Sequence, residues 1–218
     1  MTGLVLDSLC VTKDGATLVA LDLAVAPGEV LSIMGPSGSG KSTALAAILG
    51  VLGPEFRLTG RVLLDGEDVT PLPTRARRIG LLFQDDVLFP HLSVGSNLAF
   101  ALPARIHGQA ARRQAVETAL DQAGLHGYAD RDPATLSGGQ RARIALMRAL
   151  LAEPHALLLD EPFSRLDADL RTRIRAFVLD QIRARGLPAI LVTHDSDDAR
   201  AAGGRILDPL GREAGPPL

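Results

Sequence analysis

The chain has 218 residues, 23 Lys and Arg against 25 Asp and Glu, a formal charge of −2 and 46% hydrophobic residues. This balance excludes whole-chain disorder and collagen-like repeats, and it lacks the positive excess on which sequence-independent nucleic-acid binding draws. The lone Cys10 excludes an intrachain disulfide, no secretory leader is expected at the N-terminus, and no apolar run approaches the roughly 18 residues that a membrane span needs.

In chain order, residues 4–11 and 17–25 are predicted as short strands around the turn signal Lys13-Asp14-Gly15. Val30–Met34 is an apolar run that ends in a glycine-rich loop. From Ser42 the spacing of Ala44, Leu45, Ile48, Leu49 and Leu52 predicts a helix. Residues 61–64 and 79–83 are predicted as strands, and 108–123 and 138–152 as helices, the latter with Ala142, Ala145, Leu146 and Ala149 on one face. Residues 156–159 form a continuous apolar run, as expected of a strand covered on both sides. A helix over 167–185 and a second buried strand over 189–192 follow. This alternation predicts an α/β fold with a mostly parallel sheet, helices on both faces and an antiparallel hairpin in front of it.

The glycine-rich loop reads Gly35-Pro36-Ser37-Gly38-Ser39-Gly40-Lys41-Ser42. It fits G-x-x-x-x-G-K-[ST] between a strand and a helix, the context that makes a phosphate loop. Glycines let backbone N–H groups turn toward phosphate oxygens, and the helix that follows aims its positive end at the same anion. Lys41 is positioned to reach the β- and γ-phosphates, and the Ser42 hydroxyl to ligate Mg²⁺. Of the 23 basic residues only Lys13 and Lys41 are lysines; a compact ammonium enters a tight loop where a planar guanidinium does not fit.

A second signal is Ala156-Leu-Leu-Leu-Asp160-Glu161, a buried strand ending in two carboxylates, where ligands bind in sheets of this kind. Strand alternation aims the two differently, so one can enter the Mg²⁺ shell while its neighbour polarises a water. A third is Leu136-Ser137-Gly138-Gly139-Gln140, opening the 138–152 helix with Ser137 as a candidate N-cap and a second set of exposed donors. His91, His107, His126 and His155 show no metal-ligand spacing.

Phosphate loop, Leu-Ser-Gly-Gly-Gln, Leu-Leu-Leu-Asp-Glu and a later His194, in this order, resemble the nucleotide-binding subunits of ABC transporters over about residues 3–208. The segments 132–143 and 162–167 (Pro-Phe-Ser-Arg-Leu-Asp) are especially similar to the ATPases of YnjBCD-type bacterial importers. The resemblance implies a phosphate-loop NTPase (RecA-like) core at 1–84 and 153–218, with an antiparallel β edge and an inserted helical subdomain at 85–152, all in one ATPase domain. It implies that Gly35, Pro36, Ser37, Gly38, Ser39, Gly40, Lys41, Ser42 and Thr43 hold ATP. Gln84 becomes the residue that senses Mg²⁺ and the attacking water, Asp160 a Mg²⁺ ligand beside Ser42, and Glu161 the catalytic base. Ser137, Gly138, Gly139 and Gln140 become the signature, 164–167 with Asp167 the D-loop, and His194 the contact to the γ-phosphate.

The resemblance further implies a head-to-tail homodimer in which each ATP lies between one subunit's phosphate loop and the other's signature. The family's geometry keeps these two anion sites apart within one copy. Permease subunits are expected to dock near residues 84–103, a solute-binding protein to act indirectly, and nucleic acid to play no part. The chain is then a cytoplasmic ATPase on the inner face of the cell membrane that drives import. An exporter or lipoprotein-extraction ATPase, and a nucleotide-gated regulatory dimer, are the alternatives. The 119 positions from Lys41 to Asp160 leave no room for a coiled-coil insertion, and a C-terminal regulatory domain is expected to be absent. Two departures stand out. No aromatic residue precedes Phe56, so the hairpin lacks the ring that stacks on adenine elsewhere in the family, and Arg165 replaces the small residue usual in the D-loop.

Overall fold

The computed structural model describes residues 3–85 and 87–214. The chain divides into two compact units. The first takes the described residues up to Leu81, then His155–Glu161, and those from Leu179 onward; the second takes Leu82–Pro154 and Pro162–Val178. Residues 162–178 therefore group with the helical unit.

In the first unit, β1 (Leu4–Lys13) and β2 (Ala16–Val25) form the hairpin. Asp14 (φ 50°) and Gly15 (φ 80°) are both left-handed, the two-residue turn whose twist matches that of the strands. β4 (Arg57–Leu64) pairs antiparallel with β1, and the short β5 (Glu67–Asp68) closes the order β2-β1-β4-β5. β4 starts four residues before the run that the sequence marks, because 57–59 pair with Thr12, Val11 and Cys10 although Arg57 and Thr59 are polar.

The second sheet has the order β6-β7-β8-β3-β9, from β6 (Ile79–Leu82), β7 (Ala156–Asp160), β8 (Ala189–Thr193), β3 (Val30–Met34) and β9 (Ile206–Leu207). β7, β8, β3 and β9 run parallel, with Leu157 opposite Ala189 and Val30 opposite Ala189 on the other side. Every residue of β3 and β8 is buried, which explains why both are apolar apart from Ser32 and Thr193. The core joins the two sheets through α1 (Lys41–Leu49): Leu6, Leu9, Val11, Val19 and Leu21 meet Ala44, Leu45 and Ile48, with Leu31, Ile33, Leu158 and Ile190 beyond.

The helix predicted to run through Leu52 stops at Leu49. Gly50 turns left-handed (φ 73°) and its N–H closes on the carbonyls of Ala46 and Ala47, so Leu52 lies outside the helix. The C-terminal end of α1 is held by Arg77, whose side chain is buried. Its guanidinium donates to the carbonyls of Ala47 (3.2 Å), Ile48 (2.7 Å), Thr70 (2.6 Å) and Leu72 (3.0 Å), and burial draws its pKa below the usual arginine value.

The helical unit contains α2 (Val94–Phe100), α3 (Gln109–Gln122), α4 (Gly138–Leu151) and the start of α5 (Ala168–Ala184). α6 (Ser196–Ala202) returns to the first unit. α2, α6, β5 and β9, all of seven residues or fewer, are too short to show a hydrophobic period in the sequence.

Candidate functional site

β3 delivers the chain into the phosphate loop. Gly38 (φ 79°) and Gly40 (φ 102°) adopt left-handed backbone, and a Cβ on Gly40 would stand 2.6 Å from the Leu18 carbonyl. Only glycine fits there, so the loop can press against β2 before α1 begins. No side chain caps α1: its N-cap residue is Gly40, and no acidic residue lies in its first turn. α2, α4 and α6 are capped by Ser93, Ser137 and Asp195, whereas α3, like α1, starts from a glycine, Gly108, with no side-chain cap. The first N–H groups of α1 are thus left for an external acceptor, with the positive end of the helix behind them. Ser39 Oγ is buried at the same place with no hydrogen-bond partner. An anion with several oxygens satisfies all of these donors, so the loop fits a polyphosphate.

Lys41 is the first residue of α1 and is buried; its Nζ donates to the carbonyls of Gly35 (2.8 Å) and Pro36 (3.0 Å) and lies 3.8 Å from Glu161. β7 ends in Asp160, half-buried, whose pKa is raised by burial and then by Glu161, against the opposing pull of Lys41. Glu161 takes a left-handed backbone (φ 46°) with its N–H on the Val192 carbonyl at 2.9 Å. This left-handed turn is strained for a residue with a Cβ. Glu161 Oε2 lies 3.0 Å from Nδ1 of His194, just beyond β8. A carboxylate only accepts, so Nδ1 carries the proton and Nε2 is the acceptor in neutral imidazole.

The first unit therefore gathers the phosphate loop, Lys41, Ser42, Asp160, Glu161 and His194, residues predicted from distant parts of the sequence. The oxygen donors Ser42 and Asp160 suit a hard cation such as Mg²⁺. Among the described residues no group of three His, Cys, Asp or Glu side chains is placed to hold a metal ion.

Gln84, the signature and Asp167 belong to the helical unit. Gln84 is exposed after β6. Ser137 caps α4 with a complete capping box: its Oγ accepts from the Gln140 N–H (3.3 Å), and Gln140 Oε1 accepts from the Ser137 N–H (2.9 Å). A Cβ on Gly139 would meet Leu170 at 2.5 Å, whereas Gly138 has its nearest neighbours 3.9 Å away. The first glycine leaves room above the helix end and the second lets α5 approach. Asp167 accepts from the Leu170 N–H at 2.9 Å. Arg165 pairs with Asp85, next to Gln84, so its partner lies within its own unit.

Residues 83–100 hold three of the six phenylalanines. Phe89 meets Phe100 edge-on at 4.9 Å and carries the Arg148 guanidinium over its ring at 5.1 Å. Phe100 is 69% exposed and Val87 52%. Asn97, fully buried, accepts from the Phe89 N–H (2.8 Å) and donates to the carbonyls of Phe89, Leu92 and Ser93 (3.1 Å each). At the hairpin tip, the Lys13 ammonium sits 5.1 Å over Phe56, which β4 brings alongside. The nearest ring to the tip thus already carries a cation. Sequence reasoning missed Arg77, Asp85 and Tyr128, whose side-chain hydrogen-bond and ion-pair partners lie from 5 to 80 positions away; the one available signal was that Tyr128 is the single tyrosine of the chain.

Residues 18–164 match the protein family described as ABC transporter. The ABC transporter ATP-binding protein YnjD of Escherichia coli is 52% identical over 84% of this chain and 84% of its own. The Fe(3+) ions import ATP-binding protein FbpC of Agrobacterium fabrum is 43% identical over 86% of this chain, which spans about half of that relative (52%). Among solved structures, the ATP-binding cassette MJ0796, a dimer in a post-hydrolysis state with ADP and Pi, superposes with a TM-score of 0.78 at 30% identity over 99% of both chains.

Proposed function

The chain belongs to the ABC transporter family as an ATP-binding subunit and ATPase, and we propose that it works as a head-to-tail homodimer, docked on the inner face of the cell membrane, which drives solute import with Mg²⁺-ATP. The observation that carries this reading is the uncapped start of α1, with an orphaned Ser39 hydroxyl and with Lys41, Glu161 and His194 beside it. Import is supported by the 43% identity to an iron-import ATPase, and the dimer by the dimeric relative.

In this reading the loop amides from Gly35 to Thr43 and the Lys41 ammonium bind and neutralise the phosphates. Ser42 and Asp160 hold Mg²⁺, which when bound neutralises phosphate oxygens. Gln84 senses the metal and the attacking water. Glu161 takes the proton of that water, and His194, with Nδ1 held by Glu161, turns Nε2 to the γ-phosphate, to which it donates only when that nitrogen also carries a proton. The protein's contribution is positioning and charge, with little covalent work. Ser137, Gly138, Gly139 and Gln140, with Asp167, complete the partner's nucleotide site. Residues 84–103, with exposed Val87 and Phe100, are the docking segment for a permease subunit; a periplasmic solute-binding protein acts through that permease.

The dimer is tested by mixing two inactive variants, Lys41→Ala and Ser137→Arg. Each alone spoils both composite sites of its homodimer. A heterodimer has one site with both defects and one with neither. A 1:1 mixture is therefore expected to recover about a quarter of wild-type phosphate release. If the mixture stays as inactive as its parts, the shared-site arrangement is wrong.

A second expectation concerns the base. The hairpin offers no free ring, and stacking is worth about 1–3 kcal/mol per base. ATP is then held mainly by its phosphates, and a competition assay is expected to find GTP binding within about tenfold of ATP. A preference well beyond that would show that another group reads adenine.

A further inference from the structure

We propose that Tyr128 is a positioning residue for the signature, fixing the Gln140 side chain so that the start of α4 keeps its donors aimed outward; the inference rests on the composite-site reading above. Gln140 Nε2 donates to the Tyr128 hydroxyl at 3.2 Å, while Gln140 Oε1 accepts from the Ser137 N–H at 2.9 Å. The side-chain amide is thus gripped at both ends. The Ser137 contact requires oxygen there, so the NH₂ must face the tyrosine. Released from Tyr128, Gln140 regains rotamer freedom, and the capping box that fixes Ser137 loses its outer anchor.

Tyr128 is itself held. The Arg131 guanidinium lies 3.8 Å over its ring, and the Arg131 N–H closes on the Tyr128 carbonyl at 3.1 Å. The turn is tied to the start of α2 by two further bonds, Val94 N–H to the Arg131 carbonyl (2.9 Å) and Gly95 N–H to the Ala129 carbonyl (2.7 Å). The tyrosine is therefore a fixed post. Its hydroxyl is spent on the one signature residue whose side chain folds back onto Ser137. That leaves the Ser137 hydroxyl proton and the Gly138 and Gly139 N–H groups for an incoming phosphate.

Tyr128→Phe removes only the hydroxyl and keeps the stacked ring. In a Glu161→Gln background, the ATP concentration for half-maximal dimer formation is expected to rise about fivefold, read by light scattering. Nucleotide affinity of the monomer, set by the phosphate loop, and the unfolding temperature are expected to stay unchanged. Gln140→Met is expected to produce a similar shift, and Tyr128→Phe to add nothing to it, since both act on one bond. Full additivity of the two, or an unaltered dimer in Tyr128→Phe, overturns the proposal. Ser137→Ala is the comparator. If it weakens the dimer while Tyr128→Phe does not, only the role of Tyr128 falls. If neither moves the dimer, the composite-site reading falls with it.

Discussion

Glu161→Gln is expected to bind ATP nearly as well as the parent while releasing phosphate about 10²–10⁴ times more slowly, and to accumulate as a nucleotide-bound dimer. The substitution keeps shape and removes basicity. The amide oxygen still accepts from His194 Nδ1, now 3.0 Å from the carboxylate, so the imidazole retains its tautomer. The Lys41 contacts to the Gly35 and Pro36 carbonyls do not involve Glu161. What disappears is the group that removes a proton from water. Phosphate release, equilibrium nucleotide binding and light scattering together check the claim; turnover at the parent rate would show that the base is elsewhere.

The second large effect concerns stability. Arg77→Ala is expected to cost about 3 kcal/mol or more, and to lower the unfolding temperature of the nucleotide-free protein by roughly 6–12 °C. The loss is not that of an ion pair. Arg77 donates to four carbonyls, two at the end of α1 and two at Thr70 and Leu72. Truncation leaves those acceptors without their donor in a buried place. The positive charge also lies at the C-terminal end of α1, where the helix dipole favours it. Arg77→Lys is expected to recover less than half, because one ammonium cannot span both sets as a guanidinium fork does. Thermal unfolding of the three proteins decides it. Equal stabilities would mean that water serves these carbonyls without difficulty.

The parts of this molecule legible in the sequence are those with a short-range signature. The phosphate loop needs only its own glycines and the helix that follows. The strands buried on both faces declare themselves by short, mainly apolar runs, and Ser137 by its place before a helix. Leu52 keeps the apolar period of α1, but Gly50, with φ 73°, ends the helix by geometry that periodicity does not carry. The candidate residues can be named from the sequence, but not the contacts between them. That Glu161 faces His194 and Lys41 depends on the parallel register of β7, β8 and β3 and on the left-handed turn at Glu161. Arg77, Arg165 and Tyr128 were obscure for the same reason: each finds its partners through the tertiary fold. Arg165 stands out in the sequence only as a departure from the small residue usual in the D-loop; its pairing with Asp85 comes from the fold.

Asn97 has a consequence for how the proposed docking segment meets a permease. With its amide spent on four backbone groups between Phe89 and Ser93, this stretch enters any encounter already shaped. Little chain entropy remains to be surrendered on contact. A push from the membrane side would then travel into the helical unit as a rigid displacement rather than being absorbed by a yielding loop.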